Sequence, residues 1–219
     1  MKTVVISLGG SLIVPDKVDY AFLKQFEKII KKHKKNYKFL IVTGGGKTAR
    51  TYIEAVQKEK LPTKLASIVG ILSTRINARL VAGFFKQKNI PETISELKKQ
   101  KTNPIICGAL GSRPGLTSDA NAAELASHYK ATFINMTNVK GLYNKDPKLK
   151  GAKFIPQISY KDFNQIIEKI KYKAGQHFVL DQVASKIIMQ HKVPTVILKG
   201  NKQLNLFLSE KKYQGTIIS

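Results

Sequence analysis

The segment VTGGGKTAR, from Val42 to Arg50, places three glycines beside two basic residues, directly after an apolar run. Its centre is similar to the end of a Walker A phosphate-binding loop, G-x-x-x-x-G-K-[ST]. That motif needs a glycine five positions before Gly46, and this chain has Ile41 there, so we do not expect a P-loop NTPase. Glycines between a strand and a helix that begins near Lys47 still leave free backbone N–H groups, which favour an anion at this point.

Small and hydroxyl-bearing residues also follow three other apolar runs of the chain. Ligands of a parallel sheet bind beyond the carboxyl ends of its strands, and these residues would meet there. Four such turns on one edge predict a crevice that binds phosphate groups. The residues are Gly9, Gly10 and Ser11 after the first run, Gly44, Gly45 and Gly46 after the second, Gly108 and Gly111 after the third, and Thr137, Asn138 and Gly141 after the fourth.

The segment SRPGLTSDA, Ser112 to Ala120, combines a Pro-Gly turn with three candidate helix caps. Thr117, Ser118 or Asp119 could each accept hydrogen bonds from the free N–H groups of a helix that begins here. For Asp119 we expect capping to be the main role.

Short β-branched apolar runs alternate with longer amphipathic segments along the chain. This alternation predicts an α/β fold whose largely parallel sheet is covered by helices on both faces. The segment 144–154, NKDPKLKGAKF, predicts a loop that leads to a small hairpin. The predicted strands are Thr3–Leu8, Lys38–Val42, Asn103–Cys107, Ala131–Met136 and Pro194–Lys199, and the predicted helices are Tyr20–Lys34, Lys47–Glu59, Leu65–Gln87, Ser118–Tyr129, Tyr160–Ile170 and Phe178–Gln190.

A formal net charge of +24, from 38 basic and 14 acidic residues, dominates the composition. It suits either a nucleic-acid-binding protein or a lysine-rich protein that handles anionic substrates. We favour the second class because the lysines are spread over nearly every predicted helix, without the interleaved aromatic residues that bind single strands. Nucleic acid is therefore not expected as a partner.

Signals for a membrane, a disulfide or a protein metal site are weak. The most apolar run, 65–85, is interrupted by Arg75 and Arg79, so we predict no membrane-spanning helix. The first twelve residues predict a strand that ends in glycines, and not a signal peptide. The single cysteine, Cys107, fits a cytoplasmic protein. The four histidines lack the spacing of metal ligands, so no protein metal site is predicted.

Four segments in order, SLGGSL, GGGKTAR, RPGLTSDANAAELA and TNVKGLYNKDP, resemble the amino acid kinase superfamily and, within it, the archaeal-type uridylate (UMP) kinases. The segments GILSTRINARLV and KAGQHFVLDQVASKII are similar to two helices of those proteins. The resemblance spans essentially the whole chain. It implies a three-layer αβα sandwich with a mainly parallel central sheet, in a single domain over residues 1–219 with a soft lobe division near 147–155.

The resemblance also implies transfer of the γ-phosphoryl group of ATP to UMP, which gives UDP for pyrimidine nucleotide biosynthesis. Mg²⁺ would arrive with the nucleotide. The residues implied at ATP are Gly9, Gly10, Ser11, Gly46, Arg50, Thr137, Asn138, Tyr143 and Asp146. Those implied at UMP are Gly45, Ser67, Ser112, Arg113, Pro114, Gly115, Leu116, Thr117 and Ser118. Those implied as catalytic are Arg50, Lys47 and Asp181.

Two positions depart from the family pattern. The lysine that the wider family often has in its first strand is Ser7 here, so another cation must stand in, with Arg50, Lys47 and Lys173 as candidates. An aspartate that contacts the UMP nucleoside in the resembled kinases is replaced by Ser67.

These departures leave two alternatives open. The first is a kinase of the same fold that acts on another small phosphate or acid. Isopentenyl phosphate kinases are disfavoured because the segment KTARTYIEA lacks their histidine. The second is a catalytically weakened regulatory protein that binds nucleotides or nucleic acid. By resemblance the protein would form a hexamer as a trimer of dimers, with the first helix and its neighbours at the dimer contact.

Overall fold

The centre of the fold is a mostly parallel β-sheet. A computed structural model describes residues 1–111, 113, 115–147, 149–169 and 180–219. The strands are β1 (Lys2–Leu8), β2 (Tyr37–Thr43), β3 (Ile105–Cys107), β4 (Thr132–Thr137), β5 (Leu142–Tyr143), β6 (Phe154–Ile155), β7 (Gln157–Ile158), β8 (Thr195–Lys199) and β9 (Gly215–Ile218). Seven of them form one sheet in the order β3-β2-β1-β4-β8-β9-β7, in which only β8 and β9 run antiparallel. Strands β5 and β6 form a separate antiparallel hairpin.

Helices cover both faces of this sheet. They are α1 (Gly10–Ile13), α2 (Tyr20–His33), α3 (Gly46–Lys58), α4 (Thr63–Phe84), α5 (Ile94–Lys99), α6 (Ser118–His128), α7 (Tyr160–Lys169), α8 (Gln182–His191) and α9 (Gly200–Leu208). Helices α2, α4 and α9 contribute to the apolar core on one face, and α6, α7 and α8 to the core on the other. The predicted three-layer αβα architecture is therefore confirmed.

The alternation of side chains along β1 separates the two cores. Val4, Ile6 and Leu8 pack with α2, α4 and α9, whereas Val5 packs with α6, α7 and α8. A strand has a side-chain period of two, so Ser7 lies on the same face as Val5, and it is fully buried. A polar side chain is thereby placed under the α6 layer.

The five predicted strands are confirmed and differ only at their ends. A small hairpin is present, but the loop predicted to lead to it instead connects its two strands, β5 and β6. The helix predicted to reach Gln87 ends at Phe84, because Lys86 takes a left-handed backbone conformation with φ of 57°. The helix predicted from Phe178 includes α8, which begins at Gln182; Phe178 lies outside the described residues. The lobe division near 147–155 stays a prediction.

Five short elements were not predicted from the sequence: α1, α5, α9, β7 and β9. Each helix among them has at most a few turns and each strand only a few residues, and the periodicity of apolar residues cannot be recognised over so short a segment. Strand β9 is also antiparallel to its neighbour β8, which an alternation of strands and helices does not indicate.

Helix α4 is, among the described helices, the one that is long and apolar enough to span a membrane by length and composition alone. The same test is passed by core helices of soluble proteins, so one such helix is weak evidence. Its Ala78, Val81 and Ala82 lie in the core with residues of β1 and β2.

Candidate functional site

Two glycine loops face each other beyond the ends of β1 and β2. A methyl group on Gly10 would lie 2.0 Å from the backbone nitrogen of Gly46, and one on Gly44 would lie 2.5 Å from the nitrogen of Gly10. Gly46 also has a φ of 64°, a conformation that side chains disfavour. The contact of one backbone with the other therefore requires glycine at these positions.

A crevice of about 190 Å³ opens beside the two glycine loops. The end of β4 and the start of α6 complete its wall. Its lining residues are Gly9, Gly10, Ser11, Gly44, Gly45, Gly46, Arg50, Ser118, Asp119, Asn135, Met136, Thr137, Asn138 and Val139. Three of the four strand ends that we expected to meet do meet here, and the turn after β3 lies outside this lining.

Helix α3 begins at the crevice, with Gly45 as its N-cap and no capping side chain. The N–H of Lys47 donates to the carbonyl of Val14 at 2.8 Å, and the Lys47 side chain is not part of the crevice lining. Arg50, about one helical turn further on, lines the crevice, is exposed, and donates to the carbonyl of Pro15 at 3.2 Å. Among the described lining residues Arg50 is the one cation, and it lies on α3 about one turn after the helix start, which favours anions.

Asp119 lies at the wall of the crevice between two neighbouring strands. Its Oδ1 accepts hydrogen bonds from Ser7 of β1 at 2.5 Å and from Asn135 of β4 at 3.1 Å. Ser7 and Asn135 are paired in register, so both reach the same carboxylate oxygen. Burial raises the pKa of Asp119 to about 7; the hydrogen bond from Ser7 acts against this rise, and the charge of Asp181 adds to it.

The capping role predicted for Asp119 is wrong, because Thr117 is the N-cap of α6. The Thr117 hydroxyl accepts from the N–H of Ala120 at 3.0 Å. Asp119 is two residues further along and turns toward the sheet. The sequence held a signal for this arrangement: Ser7 and Asn135 are polar residues inside apolar strands, where a buried polar group needs a partner.

Asp181 connects α8 to the start of α6. Its Oδ1 caps α8 by accepting from the N–H groups of Val183 and Ala184, at 2.8 and 3.0 Å. Its Oδ2 accepts from the Thr117 hydroxyl at 2.5 Å. Asp181 does not line the crevice, and its predicted catalytic role stays a prediction.

The turn after β3 is fixed by side chains of α4 that the sequence analysis did not single out. Thr74 Oγ1 accepts from the N–H of Ala109 at 2.9 Å, and Arg75 donates to the carbonyls of Ala109 and Gly111, each at 3.4 Å. Arg75 also pairs with Glu92 at 2.8 Å, whose carbonyl accepts from the N–H of Gly111 at 2.7 Å. A basic residue within an apolar helix was the available signal.

The predicted acceptor loop follows this turn. Ser112 and Pro114 lie outside the described residues. Arg113 is exposed and pairs with Glu124 at 2.6 Å. Leu116 packs against the core on the α6 face.

Of the four residues predicted to hold the adenine nucleotide, two lie in the crevice lining and two do not. Thr137 and Asn138 line the crevice, whereas Tyr143 and Asp146 do not. The Tyr143 ring, in β5, meets that of Phe154 edge-on, with centroids 5.6 Å apart.

Nine of the predicted site residues meet in the crevice lining: Gly9, Gly10, Ser11, Gly45, Gly46, Arg50, Ser118, Thr137 and Asn138. The described residues that were predicted but lie outside the lining are Lys47, Ser67, Arg113, Gly115, Leu116, Thr117, Tyr143, Asp146 and Asp181. Gly44 also lines the crevice, as expected from the glycines after the second strand, whereas Asp119, Asn135, Met136 and Val139 line it without having been predicted as site residues.

The crevice offers few side chains that could coordinate a metal ion. Within the described ranges there is no group of three His, Cys, Asp or Glu side chains that could hold an ion. Asp119 is the one acid in the described crevice lining. This donor set fits Mg²⁺ as a nucleotide complex, in which the phosphates supply most of the ligands.

The comparison with known proteins agrees with this geometry. The model of the amino acid kinase family matches residues 2–199 of the chain. The chain belongs to the amino acid kinase family. Among the members to which it is similar, the uridylate kinase of Methanoregula boonei is 35% identical over 94% of this chain and 90% of its own. The uridylate kinase of Pyrococcus abyssi is 34% identical over 98% of both chains.

Solved structures of the amino acid kinase fold also match. A crystal structure of uridylate kinase from Archaeoglobus fulgidus has a TM-score of 0.85 and 31% identity, with all of both chains covered. The UMP kinase of Ureaplasma parvum has a TM-score of 0.81 at 21% identity, covering all of this chain and 98% of that one, which supports the fold alone. The resemblance stated from the four sequence segments is confirmed.

Proposed function

We propose that this protein is a UMP kinase, which transfers the γ-phosphoryl group of ATP to UMP and releases UDP and ADP in pyrimidine nucleotide biosynthesis. The observation that carries the proposal is the crevice at which two glycine loops, an uncapped helix start and Arg50 converge. The full-length relatives named uridylate kinase support the same activity.

The glycine loops suit two phosphate-bearing substrates. Gly9, Gly10 and Ser11 after β1, together with Gly46, would hold the phosphates of ATP, and Gly45 would face the phosphate of UMP. Backbone N–H groups bind phosphate without a side chain that would keep the two substrates apart. Little covalent chemistry is required of the protein, because phosphoryl transfer depends on positioning and on neutralising charge.

Arg50 is the proposed catalytic cation. It lies where the helix N-terminus and both glycine loops meet, and its guanidinium can hold two phosphate oxygens at once. Lys47 and Asp181 would act from outside the lining, Lys47 by its charge and Asp181 through Thr117. Mg²⁺ bound to ATP would supply further positive charge. Thr137, Asn138, Tyr143 and Asp146 would hold the adenine nucleotide.

UMP would lie on the side of the crevice that faces α4 and α6. Ser118 lines the crevice there, and Thr117 precedes it with its hydroxyl oriented by Asp181. The remainder of the segment Ser112–Ser118 would close over the acceptor, and Ser67 of α4 would meet the nucleoside. A serine hydroxyl can bind a ribose but is shorter than the aspartate of the resembled kinases, so another small acceptor is the alternative.

An acceptor panel tests the proposal. Purified protein is incubated with ATP, Mg²⁺ and UMP, CMP, AMP, GMP or isopentenyl phosphate, and ADP release is measured together with the phosphorylated product. UDP formation with the highest kcat/KM for UMP is the expected result. If another acceptor were phosphorylated and UMP were not, that acceptor and not UMP would be the substrate. Steeply salt-dependent binding of RNA or DNA without any turnover would favour the regulatory alternative.

We further propose that the protein acts in the cytoplasm as a homo-oligomer, a hexamer built as a trimer of dimers. Helix α4 supports a contact between copies, because Leu65, Ile68, Leu72 and Ile76 form an exposed apolar stripe on it. The predicted contact through the first long helix is compatible with this surface: Tyr20 of α2 packs against Phe84 at the end of α4.

A further inference from the structure

A second cavity lies at the opposite end of the strands that carry the crevice. It has a volume of about 520 Å³ and is bordered by the beginnings of β1, β2 and β4 and by the segment after α9. Strand β1 rises by about 3.3 Å per residue, so Lys2 at the cavity is about 20 Å from Leu8, which directly precedes the crevice residue Gly9. The two sites are therefore separate. The lining residues used below are Lys2, Tyr37, Lys130, Phe207, Lys211 and Tyr213.

The charges around this cavity are mainly positive. Three lysines border it against one acid, Glu210. That acid is engaged by Lys2, whose Nζ lies 2.9 Å from Glu210 Oε1. Among the described residues no carboxylate forms an ion pair with Lys130 or Lys211. The cavity thus offers two ammonium groups that no carboxylate of the described residues pairs with.

Aromatic rings form much of the cavity wall. The rings of Phe207 and Tyr213 meet edge-on, with centroids 5.3 Å apart. Tyr37 is only 6% exposed, and its ring is packed between those of His33 and Phe39, at 6.4 and 5.9 Å. The Tyr37 hydroxyl is not among the fully buried atoms that lack a partner, and no hydrogen bond joins it to another described residue, so it is open to the cavity.

We propose that this cavity binds a small organic phosphate that carries a planar ring. One of the two lysines, Lys130 or Lys211, would hold the phosphate, with the other beside the ring. The Tyr37 hydroxyl would donate a further hydrogen bond, and the ring would lie against Phe207 and Tyr213. The volume is in the range of small-ligand sites, roughly 300 to 1,000 Å³. The lysines favour an anionic group on the ligand, which a lipid tail lacks. The aromatic wall favours a ring beside that group, which inorganic phosphate lacks. The proposal is independent of the reaction in the crevice.

Pyridoxal 5′-phosphate is a suitable probe because it combines a planar ring, a phosphate and an aldehyde. Its aldehyde condenses with a lysine amine to an imine and releases water, and borohydride then reduces the C=N bond to a stable amine. Peptide mass spectrometry identifies the modified lysine. At limiting probe we expect saturable labelling of Lys130 or Lys211, roughly tenfold faster than labelling of Lys202, an exposed lysine of α9 outside the cavity.

Two variants sharpen this experiment. Tyr37→Phe keeps the packed ring and removes only the hydroxyl, and it should slow labelling at the cavity about fivefold by the loss of one hydrogen bond. Lys202→Gln should leave labelling of the cavity unchanged. Equal labelling of Lys130, Lys211 and Lys202, labelling confined to Lys47 at the crevice, or unchanged labelling in Tyr37→Phe would each overturn the proposal.

Discussion

Arg50 is the cation that the crevice presents to a nucleotide, and its surroundings make its replacement informative. Its side chain is exposed and its one described hydrogen bond is to the carbonyl of Pro15. We expect Arg50→Ala to lower kcat roughly 100-fold with little change in melting temperature, because charged hydrogen bonds to the phosphates are lost and no core packing is. Arg50→Lys should restore only part of the rate, since an ammonium lacks the paired donors.

Lys58→Ala is the matched control for Arg50. Lys58 is an exposed cation at the far end of the same helix, so its removal changes the net charge equally. Steady-state kinetics with varied ATP and UMP compare the three variants. If Arg50→Ala kept its kcat, or if Lys58→Ala lost as much, the role given to Arg50 would be wrong.

Asp119 gives the stability of the protein a pH dependence. Its pKa is raised from 3.8 to about 7 in the folded state, mainly by burial. The folded protein therefore binds this proton more tightly than the unfolded chain. The resulting stabilisation is complete below pH 3.8 and is lost as the pH rises through 7, by on the order of 2 to 4 kcal/mol at pH 8.

The variant Asp119→Asn isolates this effect, because an amide cannot ionise. Urea unfolding at pH 5 and pH 8 should show a loss of stability with rising pH in the natural protein that is smaller in Asp119→Asn. Asp16→Asn, at an exposed position, serves as the control and should follow the natural protein. An identical pH dependence in Asp119→Asn and the natural protein would contradict the raised pKa.

At the scale of elements, α4 and the turn after β3 act as one unit. Arg75 joins them through its pair with Glu92 and its hydrogen bonds to Ala109 and Gly111. The proposed acceptor loop begins directly after this turn. We expect Arg75→Met to raise the KM for UMP about tenfold, the equivalent of one charged hydrogen bond, and to leave the KM for ATP within twofold.

Arg79→Met is the control for Arg75, because Arg79 is exposed and one turn further along α4. Amide hydrogen exchange of residues 109–118 adds a measurement that does not depend on catalysis. The exchange should be faster in Arg75→Met than in the natural protein, and unchanged in Arg79→Met. Equal effects on the KM of both substrates, or unchanged exchange, would show that Arg75 stabilises the fold without positioning the loop.

The sequence predicts the helices and strands more completely than it predicts the contacts of the site. Strand positions and layers follow from local apolar patterns, and the glycine-rich strand ends follow from the rule that they share one edge. The partners of Asp119 depend on β1 lying beside β4, which comes from the strand order and not from neighbouring residues. Arg75 was missed for the same reason, since its partners Glu92 and Gly111 are distant in sequence.

At the scale of the whole molecule, the exposed stripe on α4 predicts self-association. Leu72 and Ile76 are 48% and 61% exposed, although they belong to an apolar helix. Burial of such side chains stabilises a contact between copies. We expect Leu72→Glu to reduce the mass found by light scattering from that of the full oligomer to a smaller multiple of 24.4 kDa, because the other contacts between copies are kept.

Lys64→Glu is the control for this prediction, because Lys64 is exposed on the first turn of α4 and is not one of the apolar residues of the stripe. It should keep the mass of the natural protein. A natural protein that is already monomeric, or a Leu72→Glu variant that keeps the full mass, would remove α4 from the contact between copies.

A crystal structure with UMP and a non-hydrolysable ATP analogue would show whether the two glycine loops hold the two substrates between them. We expect the ATP phosphates at the N–H groups of Gly9 to Ser11 and Gly46, the UMP phosphate at Gly45, and the Arg50 guanidinium between them. Nucleotide phosphates bound away from these glycines, or a UMP phosphate that does not approach the γ-phosphate position, would show that the loops do not hold the substrates in this way.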